Sequence, residues 1–305
     1  MNDFPAKILL LGEYSILTGS MGIAVPYPPF SGSLQFPSPT LSHDEEESSR
    51  QSNQHLKLLL EYLISDPERT GCLDVSQLRN DITDGLFFRS NIPQGYGVGS
   101  SGALTAAIFD RYALPECKNC ELSEVRKMLA GIEQLFHGTS SGLDPMVSYI
   151  KAPVIIGEKD SIETMNVHPD ELLTALGTFL IDTGSTRSTA GLVSWFREQL
   201  LNPEYQHQFC HNYLPYVNRC IGAVSANNRQ VFFDTLQQIS SFQLKHFTPM
   251  IPVPFREHFQ ESLASETHLL KLCGSGGGGY LLGFTRNPSL TKEWIRERKL
   301  SCLFL

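Results

Sequence analysis

Asn91-Ile92-Pro93-Gln94-Gly95-Tyr96-Gly97-Val98-Gly99-Ser100-Ser101-Gly102-Ala103 is the stretch that decides how the rest of the chain is read. Glycine takes every second position from Gly95 to Gly99, two serines follow, and Ala103 to Phe109 reads as helix. Without Cβ atoms in the way, a polyanion can approach the backbone N–H groups closely. The following helix turns its own N-terminus, with unpaired N–H groups and a partial positive charge, toward the same place. Such a segment is a phosphate cradle, and its two hydroxyls can contact phosphate or help hold a metal ion. It is neither common nucleotide loop. No Lys follows the last Gly, and one residue rather than two precedes the third glycine of a dinucleotide pattern. A plain Ser-capped turn would need neither the three alternating glycines nor the serine pair.

Working outward, 305 residues suffice for a sizeable core and most simply form two domains. Hydrophobic residues make up 41% and charged residues 18%, the balance of a soluble globular protein. The net charge of −8 argues against a nucleic-acid partner held through phosphates. It leaves room for a small anionic substrate bound by local basic groups. No apolar run reaches the roughly 18 residues that span a membrane, and Met1 to Lys7 lacks the basic region of a signal peptide. The expectation is a cytoplasmic protein with no membrane partner. The seven cysteines are an odd, scattered set, as in reduced compartments. Cys117 and Cys120 have metal-like spacing, but no second pair accompanies them, so they read as loop thiols.

Lys7 to Leu11, Ile23 to Val25 and Phe30 to Phe36 read as strands, the last ended by Pro37 and Pro39. The polar, acidic stretch Ser42 to Gln54 reads as a solvated loop ahead of a helix from Leu56 to Ile64. Leu73 to Leu78 and Gly85 to Ser90 read as strands leading into the glycine loop. Leu122 to His137 reads as helix, with Ser123 as N-cap. Strands are expected at Pro153 to Ile156, Leu176 to Asp182 and Tyr280 to Phe284. Helices are expected at Thr189 to Leu201, across Gln206 to Leu244 as a pair, and from Glu257 to Leu272. Strands and helices do not alternate strictly, which suggests α+β rather than a doubly wound parallel sheet.

Three further segments belong with the glycine loop. Pro5-Ala6-Lys7-Ile8-Leu9-Leu10-Leu11-Gly12-Glu13-Tyr14 puts a lysine at the entry of a buried strand. Lysine is seldom buried without a partner, so Lys7 either meets a carboxylate and a phosphoryl group or snorkels to water. Gly131 to Pro145 places Glu133 and His137 on one helix face. A Thr139-Ser140-Ser141-Gly142 turn then presents Asp144. An acid on a helix and an acid on the next turn can hold Mg²⁺ and meet a substrate hydroxyl. His137 is either a metal ligand or a helix-terminal histidine meeting the dipole. Finally, Gly274-Ser275-Gly276-Gly277-Gly278-Gly279 is a second cradle or a hinge; an apolar strand follows at once, unlike a linker.

Together these four segments resemble the GHMP kinase superfamily along the whole chain. The opening strand with Lys7, the Gly-Ser-Ser loop and the late glycine cluster each match one of its motifs. Within the superfamily the likeness is greatest to the mevalonate kinases, through Gly138 to Asp144, Glu133 eleven residues before Asp144, and Asp182-Thr183-Gly184-Ser185-Thr186-Arg187-Ser188-Thr189. The sugar-binding sequence of a galactokinase is lacking. Ala6 stands where the family usually has Gly, Tyr14 where mevalonate kinases usually have His, and Pro145 where Asn is common.

The resemblance implies a two-domain α+β GHMP kinase fold. Residues 1–170 would form a ribosomal S5 domain 2-like N-terminal domain, and residues 171–305 a ferredoxin-like C-terminal domain with the glycine-rich motif. It implies an ATP- and Mg²⁺-dependent kinase acting on a small, carboxylate-bearing alcohol, converting mevalonate to 5-phosphomevalonate. A homodimer is the family's common habit. Asp144 and Lys7 would be catalytic. Pro93, Gly95, Tyr96, Gly97, Val98, Gly99, Ser100, Ser101 and Gly102 would bind ATP, and Ser101 (or Ser100) and Glu133 would hold Mg²⁺. Glu13, Tyr14, Thr186 and Arg187 would face the substrate, with Gly274, Ser275, Gly276 and Gly277 around the phosphates. Alternatives are a superfamily kinase for another alcohol, a diphosphomevalonate decarboxylase, or a non-catalytic binding homologue.

Overall fold

A computed structural model describes residues 1–39, 42–66, 71–157, 161–186 and 189–305. The chain divides into two compact units. One comprises Met1–Lys7, Pro26–Pro93 and Gly99–Lys151; the other comprises Ile8–Val25, Gln94–Val98 and Ala152–Leu305.

Strand β1 (Phe4–Leu11) is buried at every residue, which is why its sequence shows a continuous apolar run rather than alternation. Strand β2 (Gly22–Gln35) is one 14-residue strand where the sequence suggests two. Its prolines, Pro26, Pro28 and Pro29, fall between the part paired with β4 (Gly22 to Ala24) and the part paired with β3 (Gly32 to Gln35). Residues that cannot donate a ladder hydrogen bond are tolerated there. Helix α1 (His43–Ile64) takes in the acidic stretch expected to be a loop. Its start is a capping box: Ser42 accepts from the Glu45 N–H while Glu45 accepts from the Ser42 N–H. Three acids in the first turn complement the helix dipole. Helix α2 (Val75–Thr83), capped by Asp74, replaces the strand expected near Leu78; only Leu73 makes a β-bridge, to Ala113. Strand β3 (Phe87–Ser90) leads to the glycine loop and to α3 (Ser100–Tyr112).

A short turn of helix, α4 (Pro115–Lys118), precedes α5 (Leu122–His137), whose N-cap is Glu121 rather than Ser123 and carries no side-chain cap. Helix α6 (Leu143–Ile150) packs against α3 and α5, burying Met146 and Val147 with Ala103, Ala106, Ala107, Leu129 and Ile132. Strands β4 (Val154–Ile156) and β5 (Ile162–Thr164) complete a five-stranded sheet in the order β1-β2-β4-β5, with β3 also on β2.

In the second unit, α7 (Pro169–Leu176) precedes β6 (Thr178–Asp182). Then come α8 (Thr189–Leu200), α9 (Pro203–Asn212), α10 (Leu214–Ser225), α11 (Arg229–His246) and α12 (Arg256–Ala264). The expected helix from Glu257 to Leu272 stops at Ala264, and β7 (His268–Leu272) follows; five apolar-flanked residues are too few for periodicity to separate strand from helix. Strand β8 (Tyr280–Thr285), α13 (Pro288–Glu297) and β9 (Cys302–Phe304) end the fold. The four-stranded antiparallel sheet has the order β7-β8-β6-β9, the ferredoxin-like arrangement with helices inserted after the first and third strands. Beside it, Phe196, Phe209, Tyr213, Phe242 and Phe247 form an aromatic core with ring centroids 4.8–6.4 Å apart.

His268 on β7 is buried, its Nδ1 bonded to the Thr267 hydroxyl and its ring 4.3 Å from Trp294. Burial, and then the charge of Arg298, hold its pKa down to about 4 from 6.5, with Glu261 opposing. A lowered histidine pKa contributes stability that is present above pH 6.5 and lost as pH falls through 4, about 3 kcal/mol for a shift of this size. Denaturant unfolding at pH 7 and pH 4 is expected to show a shallower acid loss for His268→Gln than for the parent. Identical pH slopes would exclude His268 as the source.

Candidate active site

The first unit gathers Lys7, the end of the glycine loop, Glu133 and Asp144. Lys7 is 3% exposed, and its Nζ lies 3.0 Å from Asp144 Oδ2. The snorkelling alternative therefore fails. Asp144 does not sit on a turn, as its sequence suggests, but in the first turn of α6, behind the N-cap Gly142. The positive helix end and the ammonium both lie beside the carboxylate. Gly99 is required for this geometry. Its φ is 81°, and a Cβ there would lie 2.8 Å from Lys7 Cγ. Gly102 brings the start of α3 against the Asp144 backbone, where a Cβ would meet the carbonyl carbon at 2.8 Å.

Helix α3 begins with Gly99 as N-cap and no side-chain cap bond. The N-terminal end of such a helix carries a partial positive charge that favours an anion. In that turn Ser101 Oγ donates to Glu133 Oε1 at 3.1 Å, and Ser140 Oγ donates to Glu133 Oε2. Glu133 is 3% exposed. Burial, then the charge of Asp144, push its carboxyl up to about 7, against the hydrogen bonds from Ser140 and Ser101 and the charge of Lys7. A buried acid is thus held close to the charge of a partly exposed one, an arrangement that a cation would relieve. Sequence reasoning brought Glu133, Ser101, Lys7 and Asp144 forward but left out Ser140, which stood inside the quoted turn with nothing in its spacing to mark it. The side chain of His137 lies outside the described residues.

In the second unit, Gln94 to Val98 runs against the late glycine cluster. Gly279 packs on the Tyr96 backbone, where a Cβ would come within 2.4 Å of Tyr96 Cα. The cluster is anchored, as Gly277 N–H donates to Met250 O and Gly279 N–H to Ser185 O, both at 2.5 Å. Gly279 O accepts from Thr183 N–H at 2.9 Å and Thr183 Oγ1 at 2.7 Å. It is therefore a fixed loop and not a linker. Tyr14 adopts a left-handed φ of 63°, packs in tilted contacts with ring centroids 4.8 Å from Phe196 and 5.2 Å from Phe247, and donates its hydroxyl to Ser275 O at 2.6 Å. Glu13 is buried and paired with Lys271, which is wholly buried and also donates to Leu272 O at 2.6 Å. Thr186 is exposed beside Gly95, and Arg187 lies outside the described residues. Sequence reasoning missed Lys271. A lysine inside the apolar run Leu269 to Leu272 was the available signal.

Residues 69–151 match the family model described as GHMP kinases N terminal domain. The particular relatives are mevalonate kinases. That of Thermococcus onnurineus is 29% identical over 219 residues, 63% of this chain and 60% of the relative. The matched region thus spans about three fifths of the curated relative's length. Among solved structures, L. major mevalonate kinase in complex with R-mevalonate matches with a TM-score of 0.62 and 15% identity, over 98% of this chain and 90% of that one. Streptococcus pneumoniae phosphomevalonate kinase in complex with phosphomevalonate and AMPPNP matches with a TM-score of 0.65 and 14% identity, over 100% and 99%. At such identities these structures bear out the two-domain α+β fold expected from the sequence.

Removing one member of a buried ion pair costs about 3–5 kcal/mol. Lys271→Met and Glu13→Gln are each expected to destabilise on that scale, and the double variant by clearly less than their sum. Strict additivity in denaturant melts would show that the pair does not couple.

Proposed function

We propose that this protein is an ATP- and Mg²⁺-dependent kinase that phosphorylates an alcohol, with mevalonate as substrate and 5-phosphomevalonate as product. One observation carries the reading: buried Lys7 paired with a partly exposed Asp144 at 3.0 Å, with Glu133 held by Ser101 in the first turn behind the glycine loop. Phosphoryl transfer needs positioned charge more than covalent help from the protein, and this set supplies it.

In this reading the amides from Gly95 to Ser101 bind the ATP phosphates. Asp144, paired with Lys7, accepts the proton of the substrate hydroxyl as its oxygen attacks the γ-phosphorus and the bond to the ADP oxygen breaks. The Lys7 ammonium offsets charge on the transferring group. Ser101 and Glu133 are hard oxygen donors of the kind Mg²⁺ takes. Among the described residues no cluster of three or more His, Cys, Asp or Glu side chains could enclose a metal. That fits an ion completed by phosphate oxygens and water. Mg²⁺, when bound, supplies charge neutralisation between the phosphates. Thr186 and Arg187 are assigned to the substrate, Arg187 to its carboxylate. Glu13 and Tyr14, held by Lys271 and Ser275, shape that side. The late cluster Gly274 to Gly277 completes the phosphate surroundings. No described helix is long and apolar enough to cross a membrane; a cytoplasmic, homodimeric enzyme is part of the same reading.

A second reading keeps the chemistry and changes the alcohol, because Tyr14 and Pro145 depart from the usual mevalonate kinase residues. ATP consumption with Mg²⁺ against mevalonate, phosphomevalonate, homoserine and galactose separates the two. Turnover on mevalonate alone is expected; turnover on another member would reassign the substrate. Asp144→Asn is expected to lower kcat by roughly 10²–10⁴-fold with ATP binding retained. A variant that kept most of its turnover would remove Asp144 from the proton transfer.

A further inference from the structure

Ser140 touches two helices at once. Its Oγ accepts the N–H of Gly142, the N-cap of α6, at 2.9 Å, and donates to Glu133 Oε2 on α5. The other oxygen of Glu133 accepts from Ser101 Oγ at 3.1 Å. Both carboxylate oxygens therefore carry a hydroxyl donor, each from a different segment of the chain. The terminal torsion of a glutamate is broad, so a carboxylate held at one oxygen swings. Held at both, it has one plane. The single proton of Ser140 is committed to Glu133 and a lone pair to Gly142, which suits it to orient a ligand rather than to be one. Ser101 differs, since it meets Glu133 from the open first turn of α3.

We propose that Ser140 is a positioning residue for the divalent cation: it fixes the Glu133 carboxylate relative to Ser101 and to the start of α6, so that the remaining lone pairs of Glu133 face the ion. The proposal rests on the kinase reading above. It also ties the metal ligand to the helix that carries Asp144, through the Gly142 N–H. Partners that orient a ligating side chain are typically worth 10–100-fold in metal affinity.

The test compares Mn²⁺ binding by electron paramagnetic resonance, with ADP present, for the parent, Ser140→Thr, Ser140→Val and Ser140→Ala. Threonine and valine have nearly the same shape and differ by the hydroxyl, so their comparison removes packing. The Thr variant is expected within about twofold of the parent, and the Val and Ala variants about tenfold weaker. ADP affinity without metal and melting temperature should be equal for Thr and Val. In turnover, the Val defect should appear as a raised KM for Mg²⁺, with kcat recovering at saturating Mg²⁺. Equal Mn²⁺ affinity of the Thr and Val variants overturns the role of Ser140 and leaves the kinase reading standing. Failure of the parent itself to take up Mn²⁺ with ADP overturns the kinase reading and this role with it.

Discussion

An ammonium group in a protein interior needs an opposite charge, and the Lys7–Asp144 pair answers that need in the first unit. Much of the local structure follows from it. Lys7 points from a strand buried along its whole length, so its stem must run past the glycine loop. Gly99 is the residue that leaves room for the stem while turning the chain into α3. Asp144 must then stand at a helix start close to α3, which the small residue Gly102 permits. Glu133, brought near the same charges, is held by two hydroxyls where an apolar neighbour would leave a buried carboxylate unsupported. The start of α3 and the Asp144 carboxylate are thus fixed by one electrostatic requirement together with steric fit.

The second unit repeats the theme with a different purpose. Lys271 and Glu13 are both inaccessible to water, and Lys271 also meets the Leu272 carbonyl. Gln243 binds the Leu272 N–H at 2.9 Å and the Tyr213 hydroxyl at 3.0 Å, extending a polar thread through an aromatic core. Buried polar contacts of this kind hold a core in one arrangement, because a shift leaves polar atoms unsatisfied. Tyr14 is fixed in the same surroundings, at its ring by Phe196 and Phe247 and at its hydroxyl by Ser275.

The parts legible in the sequence were those with local signatures. The buried run after Lys7, the alternating glycines and the amphipathic helix ending at Gly138 needed only neighbouring residues to be recognised. The Ser42-to-Glu45 capping box was equally local, yet the acidic composition after it suggested a loop; polar helices escape a search for apolar periodicity. Strand β7 escaped for the opposite reason, since a short apolar run is consistent with either state. The continuity of β2 through its prolines depends on where partner strands stop pairing, which no local pattern encodes. Ser140 lies beyond sequence reading for the same cause, and Lys271 left only the trace of a lysine in an apolar run: the partners of both are brought to them by folding. Glu13 lies 258 positions from Lys271.

The anchored segment from Gly274 to Gly279 has an entropic consequence for the fold. Five of its six residues are glycine, so it surrenders more backbone entropy on ordering than a comparable stretch of substituted residues. Against that stand hydrogen bonds to Met250, Ser185, Thr183 and Tyr14. The entropy is surrendered because the backbones approach so closely: a Cβ at Gly276 would meet Met250 O at 2.5 Å, and one at Gly279 would meet Tyr96 Cα at 2.4 Å.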